Sequence, residues 1–444
     1  MSLFKQLQRR DQEGRPIRVA VIGAGKFGTM FLAQARRLPG IHIVAIADLA
    51  VDGAKSNLQL AEWQKEEFSA SSFDDALARE TTFVDADALA VIHHPAIEIV
   101  VECTGDPIVA IDHLVAAFEA GKHVISATVE ADAVCGAKLA QLAHKAGVVY
   151  SMAYGDQPAM VCDLVDWART CGFDVAAAGR GHKWDPQYRF STPDTVWDHW
   201  GLTAEQARIG RLNPKMFNSF LDGTKPAIES AAIANACGLD VPAAGLAYPR
   251  GSIDDLPNLM RPQAEGGVLA QSGMVEVLNS LNEDGSEIDY NIRMGVWVTL
   301  RAATDYQRKC FEEYKVTTDD SGRYFSAYKR WHLIGLELGL SVANVGLRGE
   351  ATGTAEAFRA DVVAVAKRDL AAGEILDGEG GYTVAGQLRP SAVSVAARAL
   401  PLGLTGKVKV KRAVNQDQVL TYDDVELDET LTAVKLRRAL EAGQ

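Results

Sequence analysis

The chain begins as an alternation of short apolar runs and amphipathic stretches. Arg18–Ile22 (RVAVI) predicts a buried strand, and the residues after it place Phe27, Met30, Phe31, Ala35 and Leu38 on one helical face. Ile43–Ala47, Glu98–Glu102, His123–Ser126 and Val148–Ala153 repeat the strand pattern, with helical stretches around Ala110–Ala120 and Ala133–Ala146. Strands alternating with helices pair in parallel, so residues 1–155 are expected to form a doubly wound parallel sheet in an α/β fold. The alternation stops after Ala153, where Tyr154-Gly155-Asp156-Gln157-Pro158 precedes a helix over Ala159–Cys171. Residues 156–350 are expected to form an α+β domain. In it Met274–Leu281 and Asp289–Leu300 read as antiparallel strands joined through Asn282-Glu283-Asp284-Gly285. Tyr324–Leu347 reads as a helix burying Trp331, Leu333, Ile334, Leu338 and Val342. From about Glu356 the pattern becomes short strands and turns such as Val362–Ala366 and Lys407–Val410, so residues 351–444 are expected to be a β-rich module.

The connection after the first strand carries chemistry. In Gly23-Ala24-Gly25-Lys26-Phe27-Gly28, Gly23 permits a tight turn, Gly25 lets backbone N–H groups approach a pyrophosphate, and Gly28 lets helix and strand pack closely. With flanking strands and Asp48 closing the second, this is a Rossmann dinucleotide-binding pattern. Asp48 reads either as the acceptor of a ribose hydroxyl or as a strand-end turn residue. Lys55 is the nearby cation for a 2′-phosphate, which leaves NAD and NADP both open. Ligands lie beyond the carboxyl ends of such strands, so Cys103, Thr104, Gly105 and Thr128 are expected at the nicotinamide end, with a helix cap as the second reading of Thr104.

Composition narrows the partners. The chain has 444 residues, of which 48% are hydrophobic, enough for roughly three domains. Its 45 basic and 58 acidic residues give a net charge of −13, which speaks against a nucleic-acid partner. No apolar run approaches the ~20 residues of a membrane span. The N-terminal MSLFKQLQRR lacks the apolar core of a secretory signal, and six cysteines without a CxxC pair suggest a reducing, cytoplasmic setting.

Against that acidic background, Gly179–Arg189 (GRGHKWDPQYR) gathers Arg180, His182, Lys183 and Arg189 in what reads as a loop suited to a phosphate or carboxylate, or simply to solvent. The run 213–229 sets Lys215, Asn218, Ser219, Thr224 and Lys225 ahead of a small-residue helix, Ala227–Ala236, as a phosphate cradle. Glu229, read in the first turn of that helix, is either a metal ligand or a dipole-compensating acid, with Asp156 as the second carboxylate. His332 reads as a core histidine.

Two resemblances sharpen this. KRDLAAGEILD and LTYDDVELDE resemble the SAF domain, a small β-fold expected to serve structure or assembly. VIGAGKFG, VVECTG, the Tyr154–Pro158 switch, HLIGLE and SVANVG resemble the homoserine-dehydrogenase-related oxidoreductases, but Thr128-Val129 stands where homoserine dehydrogenases carry Asn-Lys. Over the whole chain the sequence resembles the DXR-like enzyme group, through the spacing of Pro214-Lys215, Ser219, Thr224-Lys225 and Glu229. That resemblance implies NADPH-dependent conversion of 1-deoxy-D-xylulose 5-phosphate to 2-C-methyl-D-erythritol 4-phosphate. Arg180, Asn218, Ser219, Thr224 and Lys225 would hold the substrate phosphate, and Asp156 and Glu229 a Mg or Mn ion. Lys183 or Lys215 would stabilise an oxyanion, and His182 or Trp184 would lie on a covering loop. A homodimer or larger assembly is expected. A plain dehydrogenase of a semialdehyde or hydroxy acid and a non-catalytic nucleotide sensor are the other readings.

Overall fold

The computed structural model describes residues 2–210 and 212–443, which divide into two compact units. The first comprises 1–160 and 333–354, the second 161–332 and 355–444. Residues 333–354, expected with the catalytic region, therefore belong to the nucleotide-binding unit, and the C-terminal segment shares a unit with 161–332.

In the first unit, β1 (Ile17–Ile22), β2 (Ile41–Ala47), β3 (Phe83–Asp85), β4 (Ile99–Glu102), β5 (His123–Ser126) and β6 (Tyr150–Met152) form one parallel sheet ordered β3-β2-β1-β4-β5-β6. This is the expected α/β doubly wound arrangement, with β3 unanticipated. The strand order reverses between β1 and β4, so the chain diverges there and leaves a crevice at their carboxyl ends. The core contains Val19, Val21, Phe31, Leu32, Ile46 and Ile99, together with Leu338 and Val342 from the Gly339–Arg348 helix and its approach.

The second unit is built on β7 (Asp174–His182), β8 (Met274–Asn279), β9 (Val296–Arg301) and β10 (Tyr324–Lys329), ordered β10-β9-β7-β8. Three expectations are corrected here. The stretch beginning at Gly179 is not a loop as far as His182, because it completes the buried central strand β7. The strands β8 and β9 do not form a hairpin: β7 lies between them, parallel to β8 and antiparallel to β9. Tyr324–Leu347 is not one helix, since β10 pairs with β9 and only Gly339–Arg348 is helical. Trp331 and Leu333 are exposed rather than buried, whereas Leu338 and Val342 are buried as expected.

The run 213–229 forms two helices, Pro214–Leu221 and Thr224–Cys237, split at Gly223, whose φ is +85°. The second is buried along nearly its whole length and packs on β7, β8 and a C-terminal ribbon of β11 (Ala360–Ala366) and β12 (Val384–Pro390). Asn235 fastens that contact, accepting from the Arg359 and Ala360 N–H groups and donating to the Ala360 carbonyl. Among the described residues, no helix is long and apolar enough to cross a membrane.

Candidate functional site

At the end of β1 the three glycines separate by role. Gly23 has φ +96°, and a Cβ there would stand 2.8 Å from the Cys103 carbonyl oxygen. A Cβ at Gly28 would collide with the Gly23 carbonyl oxygen, whereas one at Gly25, which caps the Lys26–Ala35 helix, would meet nothing within 4 Å. Two glycines thus allow the turn to exist, and the third leaves its approach open at the positive end of a helix. Lys26 is exposed at that end and Phe27 packs on the core. Asp48 fulfils its turn reading: its carboxylate accepts from Ala24 and Ala50 N–H, each at 2.8 Å. Each oxygen retains a lone pair for a ribose hydroxyl.

Across the crevice, the fully buried Glu102 at the end of β4 organises the loops after β4 and β5. Its carboxylate accepts from the Thr104 hydroxyl at 2.5 Å, the Thr104 N–H at 3.1 Å and the Thr128 hydroxyl at 2.5 Å, while Thr128 Oγ1 accepts from Gly105 N–H at 3.1 Å. Thr104 is not a helix cap, because Asp106 caps Pro107–Glu119. The Cys103 thiol donates to the Gly23 carbonyl at 2.9 Å, and enclosure, with Glu102 and Asp48 nearby, holds its pKa well above that of an ordinary thiol. These groups shape the rim of the crevice at the carboxyl ends of β1 and β4.

In the second unit, β7 delivers its polar side chains into the interior. Arg180 donates to the Glu229 carboxylate, and both are buried. Glu229 lies in the second turn of its helix, not the first, and is already matched by a guanidinium cation. Asp156 lies in the first unit, where it accepts from the Gln157 N–H. Among the described residues, no group of three or more His, Cys, Asp or Glu side chains is placed to hold a metal ion. The expected divalent site therefore does not fit this donor set.

His182 donates from Nε2 to the Phe220 carbonyl at 2.7 Å, and burial, reinforced by Arg180, holds its pKa well below the usual range, so the ring is neutral. Lys183 donates to the His199 carbonyl at 2.7 Å and lies over the Tyr188 and Trp200 rings, its pKa lowered by desolvation. The cradle residues are turned to structural use. Asn218 donates to the Ser191 and Gly380 carbonyls, Ser219 donates to Met216, and Thr224 accepts from Gly386 N–H. Lys215 is exposed and donates to the Asp377 carbonyl, and Lys225 is partly buried on the second helix. His332 lies against the Met294 carbonyl.

Where the two helices meet, a cavity of about 210 Å³ is lined by Trp184, Arg189, Asp222, Gly223, Tyr248 and Gln387, among others. Trp184 and Tyr248 stack at 4.5 Å. Tyr248 has φ +52°, a conformation unusual outside glycine, and buried Glu276 steadies it by accepting from the Ala247 and Tyr248 N–H groups. Beside the cavity, Lys367 of the C-terminal segment donates to Asp222 at 3.0 Å and to the Ser191 and Gly381 carbonyls. Glu102, Tyr248, Glu276 and the Asp222–Lys367 pair were not singled out from sequence. Glu102 alone carried a local signal, an acid closing an apolar strand as Asp48 does.

In comparison with known families, residues 3–152 match the model of the homoserine dehydrogenase NAD-binding domain and residues 155–338 that of the catalytic domain of oxidoreductase DRL. Residues 3–338 thus carry the nucleotide-binding and catalytic domains of an NAD(P)-dependent oxidoreductase. The combination is DRL-like in its catalytic region and homoserine-dehydrogenase-like in its nucleotide-binding region. Solved structures with similarity include a homoserine dehydrogenase from Thiobacillus denitrificans (20% identity, 49% of this chain and 49% of that one, TM-score 0.34). Biliverdin reductase from Synechocystis sp. PCC 6803 is similar at 20% identity (38% and 48%, TM-score 0.25), and myo-inositol dehydrogenase from Lactobacillus casei at 13% (41% and 50%, TM-score 0.28). The chain spans about half the length of each. No curated protein matches it.

Proposed function

We propose that the protein catalyses the NADPH-dependent isomeroreduction of 1-deoxy-D-xylulose 5-phosphate to 2-C-methyl-D-erythritol 4-phosphate. The observation that carries this reading is the DRL catalytic match over residues 155–338, immediately after a nicotinamide-nucleotide domain. The reaction moves a carbon–carbon bond of the ketol to give a branched aldehyde, then adds hydride from NADPH to the aldehyde carbon and a proton to its oxygen. Lys183, half-buried and with its pKa lowered by desolvation, is the group suited to stabilising the developing oxyanion, and His182, which donates from Nε2, keeps Nδ1 as an acceptor. A Mg or Mn ion, implied by the resemblance, is assigned no step, because Glu229 is matched by Arg180. The same reading takes the C-terminal segment as SAF-like, the assembly as a homodimer or larger, and the cytoplasm as its compartment.

A plain semialdehyde dehydrogenase is the second reading, favoured by the nucleotide-domain match; Thr128, engaged with Glu102, stands where its lysine-bearing loop would be. Incubation with NADPH and the phosphorylated ketose, with and without Mg or Mn, is expected to give a branched polyol phosphate by NMR. Oxidation of NADPH only with semialdehydes, and no branched product, overturns the proposal.

A further inference from the structure

The cavity differs from the cradle in its charge balance. Asp222 is neutralised by Lys367. Among the described residues lining the cavity, Arg189 is the only cation. It is held by Asp417 of the C-terminal segment at 2.8 Å, with the two side chains 33% and 53% exposed. An ion pair so open to water is weak and exchangeable. A phosphate dianion offers the guanidinium a stronger, two-pronged partner than one carboxylate does.

The geometry points to a phosphate-ester site in this cavity, in which Arg189 grips the phosphate and Asp417 is an internal competitor that the ligand displaces. At about 210 Å³ the cavity has room for a phosphorylated chain of a few carbons. The stacked Trp184 and Tyr248 rings supply an apolar wall for such a chain. Gln387, whose side-chain oxygen accepts from Arg389, keeps its NH2 group as a donor. The C-terminal segment thereby becomes part of the ligand site and its control. The inference deepens the proposed function, on which its assignment to the substrate rests, and it moves phosphate recognition from Asn218 and Ser219 to Arg189.

Binding of inorganic phosphate to the full chain, followed by 31P NMR titration, tests it. Arg189→Gln is expected to weaken phosphate by about tenfold, the loss of one charge-assisted contact. Asp417→Asn is expected to tighten it by about two- to fivefold, the scale of an exposed ion pair. Asparagine tolerates the φ of +68° at this position, so the backbone is kept. Phosphate affinity that stays within about twofold in Arg189→Gln overturns the site, and so does weakening in Asp417→Asn. If phosphate follows the expected pattern while the ketose phosphate is not turned over, the site stands and the proposed reaction falls. If turnover occurs with KM unchanged in Arg189→Gln, the reaction stands and the site falls.

Discussion

Individual residues make the sharpest claims. Gly25→Ala has room for its methyl group and is expected to leave thermal stability nearly unchanged while weakening NADPH, because the methyl occupies the pyrophosphate's approach. Gly28→Ala drives a methyl into the Gly23 carbonyl and is expected to lower both stability and NADPH affinity. Thermal melts and nucleotide titration separate the two. Asp132 makes a different prediction. Burial pushes its pKa up to about 7, and one carboxyl oxygen lacks a hydrogen-bond partner while the other accepts from Tyr150. The native state then holds a proton that the unfolded chain has already lost, so stability falls as pH rises from about 4 to about 7, by at most ~4 kcal/mol. Denaturant unfolding across that range is expected to show the slope in the wild type and a flatter profile in Asp132→Asn. Arg180→Met would leave Glu229 buried and unmatched, costing about 3–5 kcal/mol, and adding Glu229→Met is expected to recover much of that.

At the scale of elements, β7 explains both what the sequence revealed and what it concealed. The parallel sheet of the first unit was legible except for the short β3 because β1, β2 and β4 are apolar β-branched runs, each followed by a helix, so local pattern and global pairing agree. β7 ends in Gly179-Arg180-Gly181-His182, which has the composition of a surface loop. Its polar groups are inside because Glu229 and the Phe220 carbonyl meet them. Its glycines are there because a Cβ at Gly179 or Gly181 would strike the Glu276 or Ile292 carbonyl oxygen. Pairing of β7 between β8 and β9 spans about a hundred residues, and no local pattern encodes it. The nucleotide turn was readable for the same reason as its sheet, whereas the bonds of Asn218 to the Ser191 and Gly380 carbonyls and of Ser219 to the Met216 carbonyl were not, because residue type does not reveal which donors the fold engages. Gly181→Ala is expected to yield insoluble protein, checked by the soluble fraction on expression, because the strand has nowhere to shift.

For the molecule as a whole, each compact unit is discontinuous in sequence. The first takes Leu338, Val342, Ala343 and Val345 into its core, so residues 1–160 alone are expected to behave as a loose, dye-binding collapsed state. Joining 333–354 to them through a flexible linker is expected to restore a cooperative melt. The second unit is closed from its far end: Lys367→Met leaves Asp222 unmatched beside the cavity and is expected to cost about 3–5 kcal/mol. Arg437 carries the same logic further, fully buried against Asp361 through a two-pronged pair.

That interleaving bears on how the polypeptide is made. A ribosome emits the nucleotide-binding strands first, yet they cannot close their core until some 180 further residues have emerged. The catalytic sheet must likewise await the lysine and arginine near the tail. The first unit has all its residues once residue 354 is out, whereas the second still awaits 355–444, so its unfinished sheet stays exposed for longer.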